Sequence, residues 1–434
     1  MGASSATGTT EYDAEKRTTT DWYTIVLLFF AGIGSAMHFA KVPAALPQIS
    51  AELGLSPVAG GLAVSLVALL GIVFGVAAGG MVDAWGRRRL LILSLIVGAI
   101  TSALIPLLPT TPAFMTLRTV EGLSHLAIVV AAPSLMSAVA QPRDRTIVMT
   151  IWGSFFAVGF ALTDAVAPGL LHRWNWQSLF WLHAALFLVI AALLAPRLNW
   201  LAHRQMLEPP ASGASMGRLA RDLISDHGKL YRNGPILAAA AAFVWHCLLF
   251  NAYLTYVRQL LMDEGALHTK GNVGAWMSLL AVLSIGSTIL IGGALLWMGV
   301  SPFHILVVAF AGEAVSGAVL FTGFLGVGSL LIASIALFVF DGCVQGATFA
   351  TIPVVASDRM AALAHGAFAQ AGNLGSFIGP PLFAVVMLVG GWPANAVVIA
   401  IGCLAGIFCT VLSAALARRT STNAAETAAV TQPR

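Results

Sequence analysis

From Trp22 to Ala417 the chain alternates long apolar stretches with short polar ones, twelve times over: 22–46, 57–81, 89–108, 112–140, 146–170, 177–196, 234–261, 271–297, 302–324, 326–354, 361–389 and 391–417. Each stretch reaches the roughly 20 apolar residues a helix needs to cross a bilayer. In hydrocarbon only a helix or a closed barrel satisfies its own backbone polar groups, and runs of this length read as helices. The expectation is an all-α integral membrane protein with twelve transmembrane helices. Composition bears this out, since only 9% of the 434 residues are charged, against roughly 25% in a soluble domain. Mean hydropathy is +0.88. A net charge of +4 would suggest nucleic acid in a soluble chain, but here the basic residues follow membrane sidedness, and no nucleic-acid partner is expected.

Sidedness follows from where the cations fall. With the N-terminus in the cytoplasm, Arg87, Arg88, Arg89, Arg143, Arg145, Arg197, Arg204, Arg218, Arg221, Lys229 and Arg232 all lie inside, and Arg173 and Lys270 lie outside. The positive-inside rule then puts both termini in the cytoplasm of a cell, or inner, membrane protein. Residues 1–21 are polar and lack the layout of a secretory signal, so they read as a disordered tail, as do residues 419–434. Cys247, Cys343, Cys403 and Cys409 all stand in apolar segments, where cysteine behaves as a small hydrophobe.

The long polar connection 198–232 divides two bundles of six spans, 22–197 and 233–418. Met216, Leu219, Leu223, Ile224 and Leu230 recur in it at helical spacing among basic residues, which fits a helix in the membrane interface or a soluble linker helix. The two bundles repeat one another. Gly79-Gly80 followed by Gly86 is echoed by Gly292-Gly293 followed by Gly299; Glu121-Gly122 with Pro133 is echoed by Asp341-Gly342 with Pro353. His125 and Gln345 correspond in the same register. Parallel repeats of this kind build several secondary transporters.

Gly79, Asp83, Gly86, Arg87 and Arg88 form a G-x-x-x-D-x-x-G-R-R motif between spans two and three. The glycines allow close helix approach, Asp83 can accept from a helix N-terminus, and the arginines anchor the turn at the headgroups. With Arg118-x-x-Glu121-Gly122 in span four, this motif resembles the major facilitator superfamily. The resemblance implies a 6+6 helix fold, a central cavity lined by spans one, four, seven and ten, a peripheral span nine, and a gating role for that loop. Glu121 stands where many members have Gln.

Charges inside the bilayer carry the site reading, since each costs about 2.5 to 3.5 kcal/mol to insert and normally faces a cavity or a partner. Arg118, Glu121 and His125 share one helical stripe of span four, and Asp341 and Gln345 sit at the matching depth of span ten. His38 and Lys41 lie on span one, Lys41 being a cation for an anionic substrate or a partner for Glu121 or Asp164. His246, Asn251, Tyr253 and Tyr256 on span seven, with Gln370 and Asn373 on span eleven, complete the expected substrate contacts. Asp341, beside neutral Gln345, is the first choice for proton coupling, with Glu121 and Asp164 as further sites. Arg258 reads as able to snorkel outward. Glu313, on span nine, reads as structural.

Motifs for zinc proteolysis, nucleotide phosphates or a serine nucleophile do not occur, so no enzyme activity, metal or cofactor is expected. The expected partners are a small-molecule substrate, protons and the lipid bilayer, with the chain monomeric. The reading is a secondary active transporter, proton-coupled, leaning to uptake of a small anionic compound. Span five lacks the G-x-x-x-G-P of drug-proton antiporters. The Lys41-Pro43 region, Glu121-Gly122 and Gln370 through Pro381 resemble the cyanate-permease branch. Proton-antiport efflux is the alternative, and a transporter-like sensor without net transport is a second.

Overall fold

The computed structural model describes residues 19–75, 85–203, 228, 230–356 and 360–431. The first half contains α1 (Trp22–Leu53), α2 (Pro57–Phe74), α3 (Arg87–Leu107), α4 (Thr111–Val139), α5 (Phe155–Trp174) and α6 (Gln177–His203), with a short helix Arg145–Gly153 leading into α5. In the second half come α7 (Gly234–Asp263), α8 (Gly271–Trp297), α9 (Pro302–Thr322) and α10 (Val327–Val355). A helical run Ala361–Thr431 follows, broken at Gly390 and Gly391. Gly391 has φ +64°, a conformation few other residues adopt, and Pro393 begins the next helix where its missing N–H costs nothing. The break yields α11 (361–389) and α12 (392–431).

Local chemistry sets several boundaries. Asp21 caps α1 by accepting from the Thr24 amide at 3.2 Å, and Gly54 ends the helix in the left-handed conformation. Ser56 caps α2 in the same manner. Helices outrun the expected spans where polar residues can still be satisfied at an interface: α1 continues seven residues past 46, and α6 runs on to His203. Residues 419–431 are helical, where the sequence reading expects a disordered tail. Gly79, Asp83 and the interfacial-helix residues Met216, Leu219, Leu223 and Ile224 lie outside the described residues.

Within α8 a π-helical turn, Ser287–Gly292, displaces the backbone against α10. Gly342 of α10 meets Ser284 and Ser287 there with no room for a side chain, and Thr288 Oγ1 donates to its carbonyl at 2.7 Å. This close approach seats the neighbouring Asp341 against α8.

The halves meet chiefly along two helix pairs, α2 with α11 and α5 with α8. Small residues line both seams, as membrane helix contacts require. A Cβ on Gly61 would lie 2.8 Å from Pro381, and Gly274 sits directly under Pro168 and the Asp164 carbonyl. Between the seams, Phe156 and Phe160 of α5 lie 6.2 and 6.5 Å from Phe250 of α7.

Candidate functional site

The expected site residues separate into two buried clusters, one per half, and a seam between them. In the first half Lys41 projects from α1 into the space between α3, α4 and α6. Its ammonium donates to Glu121 Oε1 at 2.5 Å, to Ser102 Oγ at 2.8 Å and to His183 Nδ1 at 2.8 Å. His183 Nε2 lies 2.8 Å from the Gly34 carbonyl, which can only accept, so Nδ1 carries the lone pair that Lys41 needs. Three donors therefore meet three acceptors, with the Phe180 ring 4.4 Å away. Ser102 passes the network on to Glu121 at 2.7 Å.

Arg118 also pairs with Glu121, and its remaining N–H groups donate to the carbonyls of Ala63 and Val64 on α2 at 3.0 and 3.3 Å. His38 Nδ1 approaches Glu121 at 3.4 Å. His125 turns away from this cluster to Ser35 Oγ at 2.8 Å, its ring against Phe39. The sequence reading has Lys41, Arg118 and His38 as substrate contacts, with Lys41 as a cation for an anion or a partner for Glu121 or Asp164; the structure turns all three inward and pairs Lys41 with Glu121, whose one carboxylate Arg118 shares. Lys41 bonds two members of the buried set His38, Glu121 and His183.

The second half is built differently. His246 Nε2 meets Gln345 Oε1 at 2.8 Å, which directs Nδ1 to Asp341 Oδ1 at 3.5 Å. Glu313 joins them, the donor atoms of His246, Glu313 and Asp341 all lying within 4.8 Å of one another. Asp341 accepts from Ser284 at 3.3 Å, and Cys403 Sγ reaches Glu313 at 3.8 Å. Among the described residues neither carboxylate meets a Lys or Arg. Glu313, set aside on sequence as structural, is thus brought beside the residue favoured for coupling.

The other expected contacts are engaged within the protein. Asn251 donates to Ser376 at 2.8 Å, Tyr256 donates to the Pro380 carbonyl at 3.0 Å, and the Tyr253 ring packs near Phe321 and Phe383. Asn373 donates to Ala369 at 2.8 Å and covers Gly71. Gln370 reaches across the seam to the Ile72 carbonyl at 2.9 Å. Asp164, expected among the proton sites, instead faces Arg258 of the other half at 3.0 Å. At the motif after α2, Gly86 takes φ +81° and Arg88 donates to Asn199 at 2.6 Å, tying α3 to α6. His183, Ser102 and Ser284 were missed by sequence reasoning; for His183 the available signal was one imidazole in an otherwise apolar span.

A family model described as Major Facilitator Superfamily matches residues 24–380. An uncharacterized MFS-type transporter of Mycobacterium tuberculosis is 32% identical over 174 residues, covering 39% of this chain and 25% of that protein. The multidrug efflux pump LfrA of Mycolicibacterium smegmatis is 28% identical over 178 residues, 41% of this chain and 35% of the pump. The 4-hydroxybenzoate transporter PcaK of Pseudomonas aeruginosa is 26% identical over 178 residues, 41% of this chain and 40% of that transporter. The chain thus aligns with less than half the length of each relative.

Proposed function

The chain belongs to the major facilitator superfamily, and from that premise we propose a secondary active transporter that carries a small organic solute across a cell membrane by rocking its two halves, 22–197 and 233–418, driven by protons. The observation that carries the coupling is the pair Asp341 and Glu313, buried together with no Lys or Arg beside them among the described residues. An unpaired carboxylate is costly in a low-dielectric interior, and binding a proton removes that cost. Alternating access would load the pair from one side and unload it to the other. Glu121 and Asp164, the other sequence candidates, already have cationic partners. Both termini and the 198–232 connection are assigned to the cytoplasm.

Uptake of a small anionic solute accords with the similarity to the 4-hydroxybenzoate transporter. Similarity to LfrA favours a second reading, proton-antiport efflux. Reconstitution into vesicles holding a pH-sensitive dye tests the first reading: solute added outside should carry protons inward, and an outward proton flux would select the second. Asp341→Asn should abolish proton-driven accumulation while leaving solute exchange between equal pools. Accumulation that survives in Asp341→Asn would remove this residue from coupling.

A further inference from the structure

Arg258 of α7 is only 9% exposed, and its guanidinium contacts Asp164 of α5 across the boundary between the halves, Nη1 to Oδ1 at 3.0 Å. The contact is poorly hydrogen-bonded. Neither Asp164 carboxylate oxygen has a hydrogen bond of good geometry, Arg258 Nε has no partner, and Nη2 donates to the Leu254 carbonyl of its own helix at 3.2 Å. A guanidinium and a carboxylate usually bind as a two-pronged fork, and here most of that fork is unused.

The intramembrane cations differ in where their counter-charge comes from. Lys41 and Arg118 share Glu121 within their own half, so moving the halves apart leaves them paired. Arg258 has its counter-charge on the other half. Any motion that separates α5 from α7 removes Asp164 and leaves the guanidinium facing the opening without its counter-charge. Losing one partner of a buried ion pair is strongly unfavourable, unless another carboxylate takes its place.

The geometry points to Arg258 as the receptor for a carboxylate on the cargo, with Asp164 as the internal stand-in that the cargo displaces. This assignment rests on the rocking reading above and names its cargo class: small carboxylic acids. Cargo binding and separation of α5 from α7 are then linked, because the state in which Asp164 has left Arg258 is the one the cargo binds. The unused Nε and Nη donors supply the fork that Asp164 does not fill. Asp164 is accordingly a competitor for Arg258 rather than a proton carrier.

Thermal stabilisation of the detergent-purified full chain by benzoate and propionate, each against its uncharged amide, tests the assignment. Both acids should stabilise the wild type and the amides should not. Arg258→Gln should lose the response and Arg258→Lys should keep part of it. The decisive arm is Asp164→Asn, which removes the internal competitor and should tighten binding of the acids at least tenfold. Equal responses to acid and amide would overturn the proposal, as would acids that bind Asp164→Asn no tighter than wild type or not at all. Should Arg258→Gln fail to fold, the Asp164→Asn arm decides. Absence of solute flux in vesicles despite acid-selective binding would count against the transport reading and leave Arg258 as the receptor.

Discussion

Glu121 and Asp341 stand at equivalent positions of the two repeats, yet their surroundings are opposite. Glu121 is clasped by Lys41 and Arg118, so the first-half cluster has two cations for one carboxylate. Asp341 faces Glu313 and His246, with two carboxylates and no Lys or Arg among the described residues. The two matching sequence positions thus carry the same kind of charge in different company. The Glu121 carboxylate, held in ion pairs, ties α4 to α1 and α3, whereas Asp341 has no Lys or Arg counter-charge among the described residues, which supports the coupling role proposed for it.

The largest consequence concerns stability. Glu121→Gln leaves Lys41 and Arg118 buried without their anion, and breaking a buried pair in this way costs about 3 to 5 kcal/mol. It should sharply lower the yield and melting temperature of the detergent-solubilised protein. Asp341→Asn strands no cation and should melt close to wild type. Equal losses in the two variants would erase the contrast between the halves.

A smaller effect is expected at Lys41. Lys41→Gln leaves Glu121 paired with Arg118, so it should destabilise by about 1 to 3 kcal/mol through the unmet acceptors Ser102 and His183. Because Lys41 faces the interior of its own half, the change should weaken acidic and uncharged solutes alike. Selective loss of acids would return Lys41 to the role the sequence suggested for it.

The smallest effect lies at the helix end outside the membrane. Burial acts to raise the Asp21 carboxyl, but the Thr24 hydroxyl and amide and the Arg197 guanidinium outweigh it and hold the group below its ordinary value. A lowered value in the folded state means the stabilisation is present above the unfolded value of about 4 and disappears as pH falls through the folded one. Asp21→Asn should retain the cap, lose the ion pair, and cost less than about 1 kcal/mol at neutral pH. The difference between its melting temperature and that of wild type should close below pH 4.

Much of the fold is legible in the sequence because length and hydropathy alone decide what crosses a bilayer. The Gly390-Gly391 break that separates the last two helices falls at the boundary expected between 389 and 391. Pairing is less legible. Arg118 and Glu121 are three residues apart on one helix, so their contact follows from helical spacing. Lys41 finds Ser102 and His183 across 61 and 142 residues of chain, and no local pattern encodes that. Arg258 reads on sequence as able to snorkel outward and Glu313 as structural, on a span the family resemblance makes peripheral, although both are visible as charges in apolar helices.

In this chain the sequence by itself determined the all-helical membrane fold, the approximate number of spans and which charges fall inside apolar helices. These are one-dimensional properties, set by how far apolar runs extend before a polar residue must reach water. Which charge meets which was decided only by the tertiary structure. In a soluble helix the apolar stripe reports the face that packs inward, but a transmembrane helix is apolar toward lipid and protein alike. Its rotation is set by close-fitting small residues and by the need of each buried polar group for a partner, which helices distant in sequence supply.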